Sequence, residues 1–113
     1  MSRTAMDPER LALTKSLRRE AGRWLRARRE DAGLTQAELA SRVGLRYYTF
    51  VSQVEGGQGR VPIEAQGAWA EALGLDAAGF ARTLLRFYEP ELYRLLFESE
   101  GAGVQEQRVA ARA

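Results

Sequence analysis

Tyr48, Thr49, Ser52 and Gln53 bring three hydroxyls and one carboxamide together in a six-residue stretch, with no charge among them. On a helical wheel at about 100° per residue they share one arc of about 140°. Tyr47, Phe50, Val51 and Val54 share a separate arc of about 100°. A helix over residues 47–55 would therefore be anchored on its apolar side and offer the polar one. Solvated helix faces are usually rich in Lys, Glu and Arg, and this one is not. Hydroxyls and amides both donate and accept. A glutamine can bridge N6 and N7 of adenine in the major groove, Ser and Thr can meet either partner, and a Thr methyl can lie against a thymine methyl. The chemistry these types suit is the reading of base edges in double-stranded DNA. Basic groups that could meet the phosphates flank the stretch: Arg26, Arg28, Arg42 and Arg46 before it and Arg60 after it. In such a division the phosphate contacts position the protein and the base contacts specify the site.

Other chemistries are poorly supplied. The chain has no cysteine and no histidine, which removes disulfides, thiolate metal sites and the usual general base. The carboxylates Glu38, Glu55, Glu64 and Glu71 each have an ordinary capping, ion-pair or surface explanation. We expect no enzyme, no cofactor and no metal. No apolar run approaches the roughly 18 residues of a membrane span, and the charged N-terminus does not resemble a signal segment. The expectation is a cytoplasmic protein with no membrane contact. Net charge is +2 over 113 residues. It is uneven: residues 1–60 hold twelve basic and seven acidic side chains, and residues 61–113 hold five and eight. That asymmetry fits a protein presenting one face to a polyanion, and fits a plain solvated charge pattern about as well.

The elements that would position these groups are set off by breakers. Asp7-Pro8 offers an N-cap and a proline at the first helical position. Leu13, Leu17, Ala21 and Leu25 then recur every four residues, which predicts one long helix or two abutting ones up to a stop at Gly33. Thr35-Gln-Ala-Glu38 is a capping box. It opens a short helix that carries Leu39, Ala40 and Val43 and ends at Gly44. The helix over 47–55 follows, then the loop Gly56-Gly57-Gln58-Gly59. Pro62 starts a helix bearing Trp69, Ala70 and Leu73 that stops at Gly74. Asp76 caps another, through about Tyr88, and after Pro90 a last helix covers 91–97. The fold class is all-α, with five or six helices.

Gly33-Leu34-Thr35-Gln36-Ala37-Glu38-Leu39-Ala40, then Val43-Gly44, then Val51-Ser52-Gln53-Val54-Glu55-Gly56-Gly57, resembles the Cro/phage-repressor type (XRE) helix-turn-helix. Trp69 to Leu75 is similar to the helix that closes that fold. The resemblance implies a sequence-specific regulator of transcription. It places Gln36 and Arg60 at phosphate-contacting positions and Tyr48, Thr49, Ser52 and Gln53 at base-reading positions. It also matches Arg29 and Glu55 to a structural salt bridge. One departure stands out: Gly44 to Glu55 spans eleven positions, one more than is usual in the family. The extra residue lies among Leu45, Arg46 and Tyr47. Either the second helix starts a turn early or the turn bulges. On the wheel Tyr47 belongs to the core and Tyr48 to the DNA side. The six arginines from Arg18 to Arg29 could track phosphates or simply be solvated. Trp24 and Trp69 read as core or interface anchors.

Residues after Gly74 hold more large apolar groups than the motif needs. Phe80, Leu84, Phe87, Tyr88, Leu92 and Leu96 are the expected dimer contacts, because readers of this type commonly bind two half-sites about one DNA turn apart. The expected organisation is an N-terminal arm (1–19), a DNA-binding domain (20–75), a helical extension (76–98) and a flexible tail (99–113). The favoured function is a homodimeric repressor on a palindromic operator. The alternative is a protein-interaction adaptor or antitoxin-like module that grips a protein partner with its C-terminal apolar helices.

Overall fold

The computed structural model describes residues 7–98, all helices and connections. The expected tail and the first six residues of the arm lie outside them.

Helix α1 (Pro8–Asp31) starts where Asp7 Oδ1 accepts from the Glu9 N–H at 3.2 Å. It is one continuous helix, and Gly33, at φ +74°, ends it. Only half of its four-residue stripe is core. Ala21 and Leu25 are each 1% exposed, whereas Leu13 is 55% exposed. Helix α2 (Gln36–Arg42) has the full capping box. The Thr35 hydroxyl accepts from the Glu38 N–H at 3.0 Å, and Glu38 accepts from the Thr35 N–H at 2.8 Å. That backbone hydrogen bond, more than any charge, holds the Glu38 carboxyl below its usual range.

Helix α3 (Thr49–Glu55) begins two residues later than the wheel suggested. The extra residue is taken up in the connection. Gly44, at φ +81°, closes α2, and the Leu45 N–H returns to the Ala40 carbonyl at 2.8 Å. Residues 45–48 then cross to α3 without helical hydrogen bonds of their own. Tyr47 consequently lies outside the helix and is 67% exposed, not in the core. After the glycine loop, Pro62 precedes a 3-10 turn (Ile63–Ala65) that leads into α4 (Gln66–Leu73), which Gly74 ends at φ +71°. Asp76 caps α5 (Ala77–Tyr88) by accepting from the Gly79 N–H at 2.8 Å. Pro90 opens the short α6 (Pro90–Tyr93), and a wider π-type turn (Arg94–Glu98) follows.

The core sits where α1, α3, α4 and α5 meet. Val51, Val54, Trp69, Phe80 and Leu84 are at most 2% exposed. Trp24 packs beside it, its ring centroid 5.7 Å from Phe80 and 6.5 Å from Phe87. Phe50 meets Trp69 edge-on at 6.5 Å. Phe80, Leu84 and Tyr88, expected to face a second copy, are instead buried in the monomer. The reason is geometric: α5 lies against α1 and α4, and its apolar face closes the core that the shorter motif helices leave open. Phe87 is partly buried there as well.

One glycine sets how closely α1 and α3 approach. A Cβ built on Gly22 would stand 2.3 Å from the Glu55 carbonyl oxygen. Glycine is tolerated mid-helix because nothing larger fits. Gly22→Ala should therefore destabilise the fold by about 1–3 kcal/mol or more through overpacking, against its helix-propensity gain. Gly67→Ala is the control: it lies in α4 with no atom within 4 Å of the added Cβ, and should stabilise by roughly 0.4–1 kcal/mol. Urea denaturation of both variants checks the contrast.

Candidate nucleic-acid interface

Helix α3 turns its polar arc outward. Thr49, Ser52 and Gln53 are exposed, while Val51 and Val54 are 0% and 1% exposed on the opposite side. Tyr48 occupies the N-cap position and is 55% exposed. It offers no capping hydrogen bond, and the first backbone bond of the helix is from the Ser52 N–H to the Tyr48 carbonyl at 3.0 Å. The amides of Thr49, Phe50 and Val51 thus precede the helix's own ladder. The four expected base-reading residues are all exposed, and so is Tyr47. The wheel placed Tyr47 in the core because a wheel assumes the residue is helical.

The other end of α3 is fixed by charge. Arg29, on α1, grips Glu55 with one edge of its guanidinium: Nε to Oε2 at 2.6 Å and Nη2 to Oε1 at 3.0 Å. Its Nη1 donates to the Leu34 carbonyl at 2.7 Å. Both side chains are shielded, at 10% and 4% exposure. The hydrogen bond from Arg29 to Glu55 outweighs desolvation and raises the Arg29 pKa. Gln36 joins them, donating Nε2 to Glu55 Oε1 at 3.0 Å. Its carboxamide is therefore engaged inside the protein rather than held out for a phosphate. Leu34 and the Gln36 bond were not foreseen, since a backbone acceptor leaves no mark in the sequence.

The arginines divide into two groups. Arg42 and Arg46 are exposed, and neither forms an ion pair among the described residues; Arg46 lies 5.9 Å from the Tyr47 ring centroid. Arg26 pairs with Glu30 at 3.1 Å and Arg28 with Asp31 at 2.7 Å, both along α1. Surface pairs of this kind are worth about 0–1 kcal/mol. Arg60 is turned toward α5. It lies 4.6 Å over the Tyr88 ring, and its Nη1 is 3.2 Å from Glu89 Oε2. Tyr88 also holds the loop itself, its hydroxyl accepting from the buried Val61 N–H at 3.1 Å. Burial pushes the Tyr88 phenol above its usual pKa.

Among the described residues no cluster of His, Cys, Asp and Glu could hold a metal ion, and no helix is long and apolar enough to cross a membrane. Of the four carboxylates considered for catalysis, Glu38 is used in the cap and Glu55 in the ion pair.

Removing one member of the Arg29–Glu55 pair should be costly, because the other charge stays shielded and unmatched. Arg29→Met or Glu55→Met is expected to lose about 3–5 kcal/mol, and replacing both with methionine less than the sum. A double-mutant cycle by urea denaturation measures it.

No curated protein matches the chain. Residues 20–83 match the model of a helix-turn-helix domain. That span is more than half of the chain and runs from α1 into α5. It bears out the helix-turn-helix resemblance, and the chain belongs to this helix-turn-helix family.

Proposed function

We propose that the protein is a sequence-specific reader of double-stranded DNA that represses transcription by occupying a promoter as a homodimer. The observation that carries the reading is the exposed, uncharged polar face of α3, set opposite its buried valines. Thr49, Ser52 and Gln53 meet base edges in the major groove, with Tyr48 at the leading end. Arg42 and Arg46 bind phosphates directly. Arg26, Arg28 and Arg60 join them after giving up their carboxylate partners, and Gln36 contributes through its backbone at the start of α2. Activity on chromosomal DNA places the protein in the cytoplasm. In this reading 20–75 is the DNA-binding unit, and 76–98 serves both its core and its assembly.

The dimer surface shifts from the one first expected. With Phe80, Leu84 and Tyr88 buried, the large apolar side chains still exposed in the extension are Leu92, Leu95, Leu96 and Phe97, at 46–60% exposure, and Leu95 and Leu96 are the dimer contacts of this reading. Exposed apolar side chains on a short terminal element favour a partner surface, and a second copy supplies the symmetric pair of reading helices that two half-sites require.

Selection of random duplexes by the purified protein is expected to return a palindrome with half-sites about one DNA turn apart. Gln53→Ala should lower discrimination between that site and random DNA by roughly 1–3 kcal/mol. An equal loss on both would remove Gln53 from the base-reading set. Arg46→Ala should weaken both and reduce the salt slope by about one unit. Sedimentation over a concentration series should show a dimer that Leu96→Glu breaks. A monomer at all concentrations would leave the apolar surface to a different protein, as in an adaptor.

A further inference from the structure

A cavity of about 550 Å³ opens between the 3-10 turn before α4, the outer side of α5 and the C-terminal turn. Ile63, Ala81, Leu85 and Phe97 form its walls, and Ala78 stands where a larger side chain would fill it. The volume lies in the range of small-molecule sites, about 300–1,000 Å³, and the combination of apolar walls with a few polar groups is theirs too. Two cations, Arg60 and Arg82, and one carboxylate, Glu89, stand among its lining residues, a balance of one positive charge. Arg82 forms no ion pair among the described residues and lies 5.5 Å from the Phe97 ring centroid. Among the described residues Arg60 is held by the exposed Glu89 carboxylate and the face of Tyr88. An occupant matched to this lining has an apolar body and one anionic group.

The cavity also touches the machinery of α3. Tyr88, one of its lining residues, holds the Val61 N–H in the loop that leaves α3, and Arg60 is the residue before it. We propose that this cavity is an effector site for a small amphipathic anion, which takes Arg60 from Glu89 and keeps it from the DNA. Binding at the site stands independently of nucleic acid. The consequence for DNA affinity rests on the reading of Arg60 as a phosphate contact. Reciprocity requires that DNA weaken the anion by the factor by which the anion weakens DNA.

The test titrates the full chain with 8-anilinonaphthalene-1-sulfonate, an apolar anion, and with N-phenyl-1-naphthylamine, its uncharged relative, both followed by fluorescence. One sulfonate per chain is expected. Ala78→Trp, at an exposed position on the cavity wall, should weaken it by about tenfold, or 1.4 kcal/mol. Arg82→Gln should weaken the sulfonate by about threefold and leave the uncharged dye unchanged, as for an exposed charge pair. Equal sulfonate binding by wild type and both variants overturns the site. Binding that falls as protein concentration rises overturns it too, and assigns the cavity to a second copy of the chain. In a second arm, saturating sulfonate should weaken binding to a 30-base-pair duplex, and Arg60→Gln should abolish that effect relative to its own unliganded affinity. An unchanged duplex affinity overturns the role of Arg60 but not the site. A chain that binds no duplex at all overturns the DNA-reading function, and the fluorescence titration still decides the cavity.

Discussion

The bidentate contact between Arg29 and Glu55 is the joint on which the helix-turn-helix half of the molecule depends. Through one guanidinium it links α1, the turn at Leu34 and the end of α3, and Gln36 brings in the start of α2. A shielded ion pair gains little net stability over an apolar substitute, because both charges had to leave water. What it adds here is direction. Planar hydrogen bonds tolerate little rotation, so the end of α3 is fixed in angle as well as position. Apolar packing of Val51 and Val54 alone would leave it freer to roll. Gly22 completes the joint by letting the backbone of α1 lie against the Glu55 carbonyl.

A second tie runs through Tyr88. Its hydroxyl satisfies the buried Val61 amide and its ring supports Arg60, so the loop leaving α3 is fastened to α5. Together with Phe80 and Leu84 in the core, this makes α5 a structural member of the helix-turn-helix body rather than an appendage. The family match running on to residue 83 agrees with that arrangement.

What the sequence disclosed follows from how local each signal is. The capping box at Thr35, the stop glycines at 33, 44 and 74 and the cap at Asp76 are decided within four residues, and each was legible. The polar arc of α3 was legible because its residues alternate cleanly with Val51 and Val54. Tyr47 was misplaced because helical phase was extended across a connection that is not helical. Phe80, Leu84 and Tyr88 were read as surplus because whether an apolar side chain is buried in its own chain or against another depends on the angle at which α5 returns. No local pattern encodes that angle. The bond from Val61 to Tyr88, 27 residues apart, and the engagement of Gln36 with Glu55 were hidden for the same reason. Gly22 carried an unused signal: a lone glycine within a long helical segment points to a close approach of another backbone.

The eleven-position spacing from Gly44 to Glu55 has a consequence for how such a domain can diversify. Helix α3 is registered from its rear, by Glu55 and Gly22, and its front is joined to α2 by the non-helical residues 45–48. A residue added to that connection lengthens the approach without rotating Thr49, Ser52 and Gln53 about the helix axis. Length in front of the reading face is thereby separated from the phase of the face itself. A lineage can lengthen or shorten the aromatic stretch around Tyr47, or change its chemistry, while the polar side chains behind it keep their bearing on the body of the domain.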